Sequence, residues 1–211
     1  MRNASIKSLL VKDIHSLGDN IYFNQSIHGT NPMSSPLPAR NRQWQILRHL
    51  LSHAGIDGPL IYDETGKPIL TQGPHISVTH TGKAMLLSYG SIIHGIDMEV
   101  KGAKASKIKY RFCNEQELSW SEKFNDENIY TIMWCVKEAV FKYFGMSVDF
   151  RGDIVIEPTE PNYSELNVSY GGVYGKKKFI CELSYQGELC MIHAICSDYY
   201  QETPVMLPTD K

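Results

Sequence analysis

Two short segments hold the residue types in this chain that could do chemistry. The first is Gly95-Ile96-Asp97-Met98-Glu99, and the second is Trp134-Cys135-Val136-Lys137-Glu138-Ala139-Val140-Phe141-Lys142. Side chains alternate along a strand, so Asp97 and Glu99 share one face with Gly95, which leaves open space beside them. Ile96, Met98 and Val100 take the other face. Two carboxylates at i and i+2 repel unless a cation sits between them. The second segment reads as a helix that presents Glu138, flanked by Lys137 and Lys142. Three carboxylates that can converge, with cations beside them, suit a Mg²⁺ ion that holds a diphosphate.

Each segment alone also has a plainer reading. Asp97 and Glu99 fit a solvated strand face that ends in a turn. Glu138 and Lys142, one turn apart, fit an exposed ion pair worth ~0.3–0.5 kcal/mol. The helical wheel bears on the second case. Ile129, Ile132, Met133, Val136, Val140 and Tyr143 form the core stripe. Trp134 and Phe141 lie on the far side with Glu138 and Lys142, and a simple surface helix would not expose both rings. That side is expected to face another part of the protein, with the charged pair in a cleft.

The elements that must position these residues follow from periodicity and punctuation. A strand is expected at 4–13 and a loop at 18–38. A helix starts at Pro38, carries Trp44, Leu47, Leu50, Leu51 and Ala54 at helical spacing, and ends at Gly55. A hairpin follows at 60–70 around Asp63-Glu64-Thr65-Gly66, then strands at 75–79, 84–89 and 92–100. Short helices are expected at 103–110 and 115–123 and a long one at 126–145. Strands at 153–157, 165–170, 177–185 and 189–197 complete the chain, with a loose tail from 201. A helix followed by short antiparallel strands, twice over, suggests a duplicated α+β unit.

Bulk numbers exclude little but point one way. The 211 residues carry a net charge of −2 with 42% hydrophobic residues, which gives no case for nucleic acid or an anionic membrane as partner. The start has no apolar run of the kind a signal peptide needs, and nothing approaches the ~20 apolar residues of a membrane span. The five cysteines form no CxxC pair and read as reduced thiols. A cytoplasmic location is the expectation.

Both chemistry-bearing segments match the signature of the 4′-phosphopantetheinyl transferases. That family's pattern is G-[IV]-D-x-E followed by [FW]-[SCT]-x-K-E-[AS]-x-x-K, and every specified position is filled. Three further stretches resemble it. Gly66-Lys67-Pro68 matches a G-K-P turn. Ile76-Ser77-Val78-Thr79-His80-Thr81-Gly82 matches an N-[IV]-S-H-[ST] segment, with Ser77 in place of the usual Asn and Thr79 in place of the usual Ser. Phe112-Cys113-Asn114-Glu115-Gln116-Glu117 resembles the family's F-[FS]-x-x-x-E step.

The resemblance implies an α+β fold, a pseudo-twofold pair of similar α+β halves with coenzyme A in the cleft between them. The halves would be 1–91 and 92–200, with 201–211 a tail. The size fits the two-half, surfactin-synthetase-activating type, which implies a monomer. The implied reaction moves 4′-phosphopantetheine from coenzyme A to a serine of an apo acyl or peptidyl carrier protein and releases adenosine 3′,5′-bisphosphate. Asp97, Glu99 and Glu138 would hold Mg²⁺. Lys137 and Lys142 would bind phosphate oxygens, with Lys142 also placed to protonate the leaving group. Glu138 and Glu117 are both candidates for the base. Lys67, Thr79 and His80 would hold the 3′-phosphate, and Arg40 or Arg42 the nucleotide, although a solvated helix face explains the arginines equally well. Carrier proteins are small and acidic, so the basic run Lys101–Arg111 would dock them; the same run also fits a plain solvated face. Two other classes stay open: a catalytically silent coenzyme A or carrier-protein binding module, and an unrelated Mg²⁺-dependent phosphohydrolase.

Overall fold

Leucines at helical spacing turn one face of the first helix into core. In the computed structural model, which describes residues 6–12, 39–102, 104–124, 126, 128–158 and 164–200, this is α1 (Ala39–His53). For 39–42 and 200 only the backbone is described. Ile46, Leu47, Leu50 and Leu51 are buried. The helix stops where Gly55 adopts φ 68° and the Ile56 N–H donates to the Leu51 carbonyl at 2.9 Å. That six-to-one closure is the glycine stop that a left-handed residue permits.

The first half continues the pattern read from the sequence. Strand β1 (Ile6–Lys12) precedes α1, and the hairpin β2 (Leu60–Tyr62) and β3 (Pro68–Leu70) follows it. Asp63 pins the hairpin turn, its Oδ1 accepting from the backbone N–H groups of Thr65 and Lys67 at 2.9 Å each. Strands β4 (His75–His80) and β5 (Ala84–Gly90) complete this half, and the sheet runs in the order β1-β5-β4, all antiparallel.

The second half opens with β6 (His94–Val100). A 3₁₀ turn at Ala105–Ile108 leads into α2 (Lys109–Phe112), then α3 (Glu115–Ser121) and the long α4 (Ile129–Phe144). Asn114 and Glu117 form a reciprocal capping box at the start of α3, which satisfies two otherwise orphaned N–H groups. Strands β7 (Ile154–Ile156), β8 (Glu165–Tyr170), β9 (Lys177–Gln186) and β10 (Leu189–Cys196) follow, with a closing 3₁₀ turn at Ser197–Tyr200. Their sheet runs β6-β10-β9-β8-β7. The expected loop at 18–38 and the tail lie outside the described residues.

The two sheets share a plan: the first strand pairs with the last, and the last with the one before it. Among the described residues, three apolar clusters hold the layers together. One packs α1 on β4 and β5. A larger one packs α4, through Met133, Val136 and Val140, on β7 to β10. The third lies between the sheets, where Ala84 and Leu86 of β5 meet Ile96 and Met98 of β6. Burial of these side chains stabilises each layer by ~1.5–3 kcal/mol per large residue. All five cysteines are buried and free. Among the described residues, no helix is long and apolar enough to cross a membrane.

Candidate active site

The alternation read from β6 is present. Ile96 and Met98 enter the cluster between the sheets, which turns Gly95, Asp97 and Glu99 toward α4. The space expected beside Gly95 is not open. A Cβ at this position would overlap the carbonyl oxygen of Ala139. Glycine here lets the α4 backbone lie against the strand. That approach brings Lys142 to the carboxylates: its Nζ donates to Asp97 Oδ1 at 2.6 Å.

Asp97 is held from both halves. Its Oδ1 also accepts from Thr79 Oγ1 of β4 at 2.8 Å. The aspartate is only 4% exposed. Its other oxygen, Oδ2, is buried and has no hydrogen-bond partner among the described residues. Two positions earlier on β4, Ser77 Oγ accepts from the backbone N–H of Ile96 at 3.0 Å. Thus β4 and β6 are stitched by side chains.

Burial first, and like charge second, disfavours the charged form of the neighbouring carboxyl groups. Burial pushes Glu138 up to about 7, with Asp97 and then Glu99 adding to the rise and Lys142 opposing it. Burial raises Glu99 as well, with Asp97 adding to it. Lys104, Lys142 and a hydrogen bond with the Trp134 side chain act the other way. Among the described residues no group of three or more His, Cys, Asp or Glu side chains is arranged to hold a metal ion. The chemistry of the donors nonetheless fits a hard divalent cation. They are all oxygen, Asp97 Oδ2 is an orphan, and two of the three carboxyl groups are destabilised in the charged form.

Three expected site residues have other tasks. Lys137 was expected on phosphate, but its side chain is fully enclosed. Its ammonium donates to Glu117 Oε2 at 2.8 Å and to the carbonyls of Phe150 and Ile154 at 2.7 Å each. All three N–H donors are engaged. Glu117, expected as a base, is equally enclosed; it also accepts from the backbone N–H groups of Asn114 and Ile156 at 2.8 Å. Thr79, expected on the 3′-phosphate, is buried and gives its hydroxyl proton to Asp97.

Other expected residues line a groove. A cavity of about 610 Å³ is bordered by Gln43, Trp44, Tyr62, Val78 and His80. A second, of about 220 Å³, reaches from Lys67 and Ser77 to Phe141 and Lys142. The two share Gly66, Pro68 and Val78, so they adjoin and join α1 to the carboxylate side of α4. His80 is exposed at this groove. Lys67 is half-buried, and its Nζ donates to the Tyr143 carbonyl in the last turn of α4 at 2.9 Å. That carbonyl is one a helix C-terminus leaves without a partner. Burial lowers the pKa of Lys67, with Asp63 opposing. Arg40 and Arg42 fall on the first turn of α1, outside the described side chains.

The basic run divides. Lys104, Lys107 and Arg111 are exposed. Lys101 lies over the Tyr185 ring, 4.3 Å from its centroid, and Lys109 donates to Tyr130 Oη at 3.0 Å. Sequence reasoning missed Ser77 as a link between the strands and gave Thr79 a different partner. Their i, i+2 spacing in a strand was the available signal.

An α+β fold of antiparallel sheets thus carries an acidic centre, paired with the Lys142 ammonium, at the seam of two layers. Residues 94–197, β6 through the start of the final 3₁₀ turn, match the family model of the 4′-phosphopantetheinyl transferase superfamily. The matched span is just under half of the 211 residues and contains Asp97, Glu99, Glu138 and Lys142. No curated protein matches the chain.

Proposed function

We propose that this protein transfers 4′-phosphopantetheine from coenzyme A to a serine hydroxyl of an apo carrier protein, releasing adenosine 3′,5′-bisphosphate. The observation that carries the reading is the arrangement at Asp97. Its Oδ2 is buried without a hydrogen-bond partner among the described residues, and the Asp97 charge helps to raise both Glu99 and Glu138, inside the span that matches the transferase family. Asp97, Glu99 and Glu138 would hold Mg²⁺, which when bound offsets the negative charge of the diphosphate. The shared sheet plan supports a pseudo-twofold pair of halves of the surfactin-synthetase-activating type, acting as a monomer. The buried free thiols support a reducing compartment such as the cytoplasm.

The residues divide the work by position. Coenzyme A lies in the groove, with His80 and Lys67 toward its 3′-phosphate and its diphosphate toward Lys142. Lys142 orients a phosphate oxygen and stands ready to give a proton to the departing bridge oxygen. Glu138 is the carboxylate left to take the serine proton. Glu117 has no route to a substrate and is not the base. Lys104, Lys107 and Arg111 form the rim that attracts an acidic carrier. Most of the rate comes from holding the two reactants in line.

The test is intact mass of a panel of apo carrier proteins after incubation with coenzyme A and Mg²⁺. A gain of roughly 340 Da, the mass of one covalently added phosphopantetheine group, on at least one carrier is the expected result. No gain on any of fatty-acid, polyketide and peptide carriers, with the enzyme folded, would remove the assignment.

A further inference from the structure

We propose that Thr79 is a positioning residue for Asp97, a tether from one half of the protein that aims the carboxyl group of the other at a cation. The proposal rests on the cation reading of the carboxylates given above.

The geometry is specific. Thr79 is 4% exposed, and its Oγ1 lies 2.8 Å from Asp97 Oδ1. A threonine hydroxyl has a single proton to give, and Asp97, which can only accept when ionised, takes it. The same oxygen receives Lys142 Nζ at 2.6 Å. Two donors on Oδ1 fix the carboxyl plane and leave Oδ2 buried, without a hydrogen-bond partner among the described residues. The strand supplies the rigidity. Thr79 is β-branched, so its χ1 is stiff. Ser77, on the same face, holds β4 against the Ile96 N–H at 3.0 Å. Val78 and His80 point the other way and line the groove. One short strand therefore borders the groove and sets a candidate ligand. Partners that orient a ligating carboxylate typically change metal affinity 10–100-fold when removed.

The test uses the full chain and Mn²⁺ as probe, with binding followed by electron paramagnetic resonance without nucleotide. Thr79→Val keeps the shape and removes the donor, and Thr79→Ser keeps the donor. The valine variant is expected to bind Mn²⁺ about tenfold more weakly, and the serine variant within about threefold of wild type. Thr79→Ala serves as the donor-free variant if valine does not fold, as judged by thermal unfolding. Coenzyme A and 3′-dephospho-coenzyme A should keep their wild-type ratio of affinities in the valine variant. If that ratio collapses toward one, Thr79 grips the phosphate and the proposal is overturned. If Asp97→Asn loses Mn²⁺ while Thr79→Val does not, the tether is overturned and the cation reading stands. If Asp97→Asn binds Mn²⁺ like wild type, the cation reading falls, and the tether with it.

Discussion

Lys137 Nζ sits 2.8 Å from Glu117 Oε2, and neither side chain is exposed. Around them every polar atom is engaged: the lysine also bonds two carbonyls of the 150–154 segment, and the glutamate two backbone N–H groups. The pair ties α3, α4 and β7 into one unit. Burial pulls the lysine below its usual range, with Glu117 opposing.

Lys137→Met should therefore be severe for stability. It leaves Glu117 buried without its countercharge, a loss of roughly 3–5 kcal/mol. Urea unfolding measures it. Adding Glu117→Gln should recover part of the loss, because the amide oxygen can still accept from a backbone N–H. A cost under about 0.5 kcal/mol, the range of a surface change, would mean that the lysine is not enclosed in solution.

Gly95→Ala should disable the protein without touching a charged group. The added methyl meets the Ala139 carbonyl, so α4 must move away from β6. Overpacking of this kind costs about 1–3 kcal/mol. Phosphopantetheine transfer should fall further than stability does, since Lys142 leaves Asp97. Wild-type turnover in a folded Gly95→Ala variant would show that the helix position is not critical.

Much of this fold was legible because its signals are local. The leucines of α1, the Asp63–Gly66 turn and the alternation in β6 each act over a few residues, and each element formed where expected. Helix α4 starts at Ile129 rather than at 126. The site was legible only in part. Glu138 and Lys142 share a side of α4 with Trp134 and Phe141, and the wheel placed them against another part of the protein. It could not place Lys137, whose carbonyl and carboxylate partners lie 13 to 20 residues away. Thr79 was read for phosphate, and the structure sets its hydroxyl on Asp97. Its hydroxyl suits phosphate or carboxylate alike, and only the approach of β4 to β6 decides between them.

His80→Ala should weaken coenzyme A about tenfold, the scale of one charge-assisted hydrogen bond. It should leave 3′-dephospho-coenzyme A nearly unchanged. Because the contact is remote from the reacting atoms, the effect belongs in KM rather than kcat. Equal losses for both ligands would detach His80 from the phosphate.

Reversing Lys104, Lys107 and Arg111 to Glu should slow reaction with an acidic carrier while coenzyme A binding holds. These three are the exposed members of the run; Lys109 is left intact because it bonds Tyr130. Rim charges act on encounter and are screened over ~8–10 Å at physiological salt. Wild-type kcat/KM should fall as salt rises and the triple variant's much less. An unchanged rate and slope would move the docking surface elsewhere.

Acid should loosen the seam. His193 of β10 lies 3.0 Å from Ser8 of β1 and opposite Glu182 on β9. Burial drives it down to about 4, with His94 adding to the drop. A histidine lowered in the folded state takes up protons in the unfolded chain first. Stability should thus decline as pH falls from about 6.5 to about 4 and level off below, a loss of at most about 3 kcal/mol. His193→Gln should flatten that part of the urea midpoint against pH. The same slope in both proteins would assign it to other groups.

The apolar contact of Ala84 and Leu86 with Ile96 and Met98 has a practical meaning for dissection. Among the described residues the chain passes from one side to the other at the exposed turn beginning with Ser91. Cutting there would yield one piece holding His80 and Thr79 and another holding Asp97, Glu138 and Lys142. Neither piece carries a whole centre, and each would present a greasy face that only the other covers. The molecule is in effect a two-key lock, suited to split-reporter use, in which activity returns only when both pieces meet.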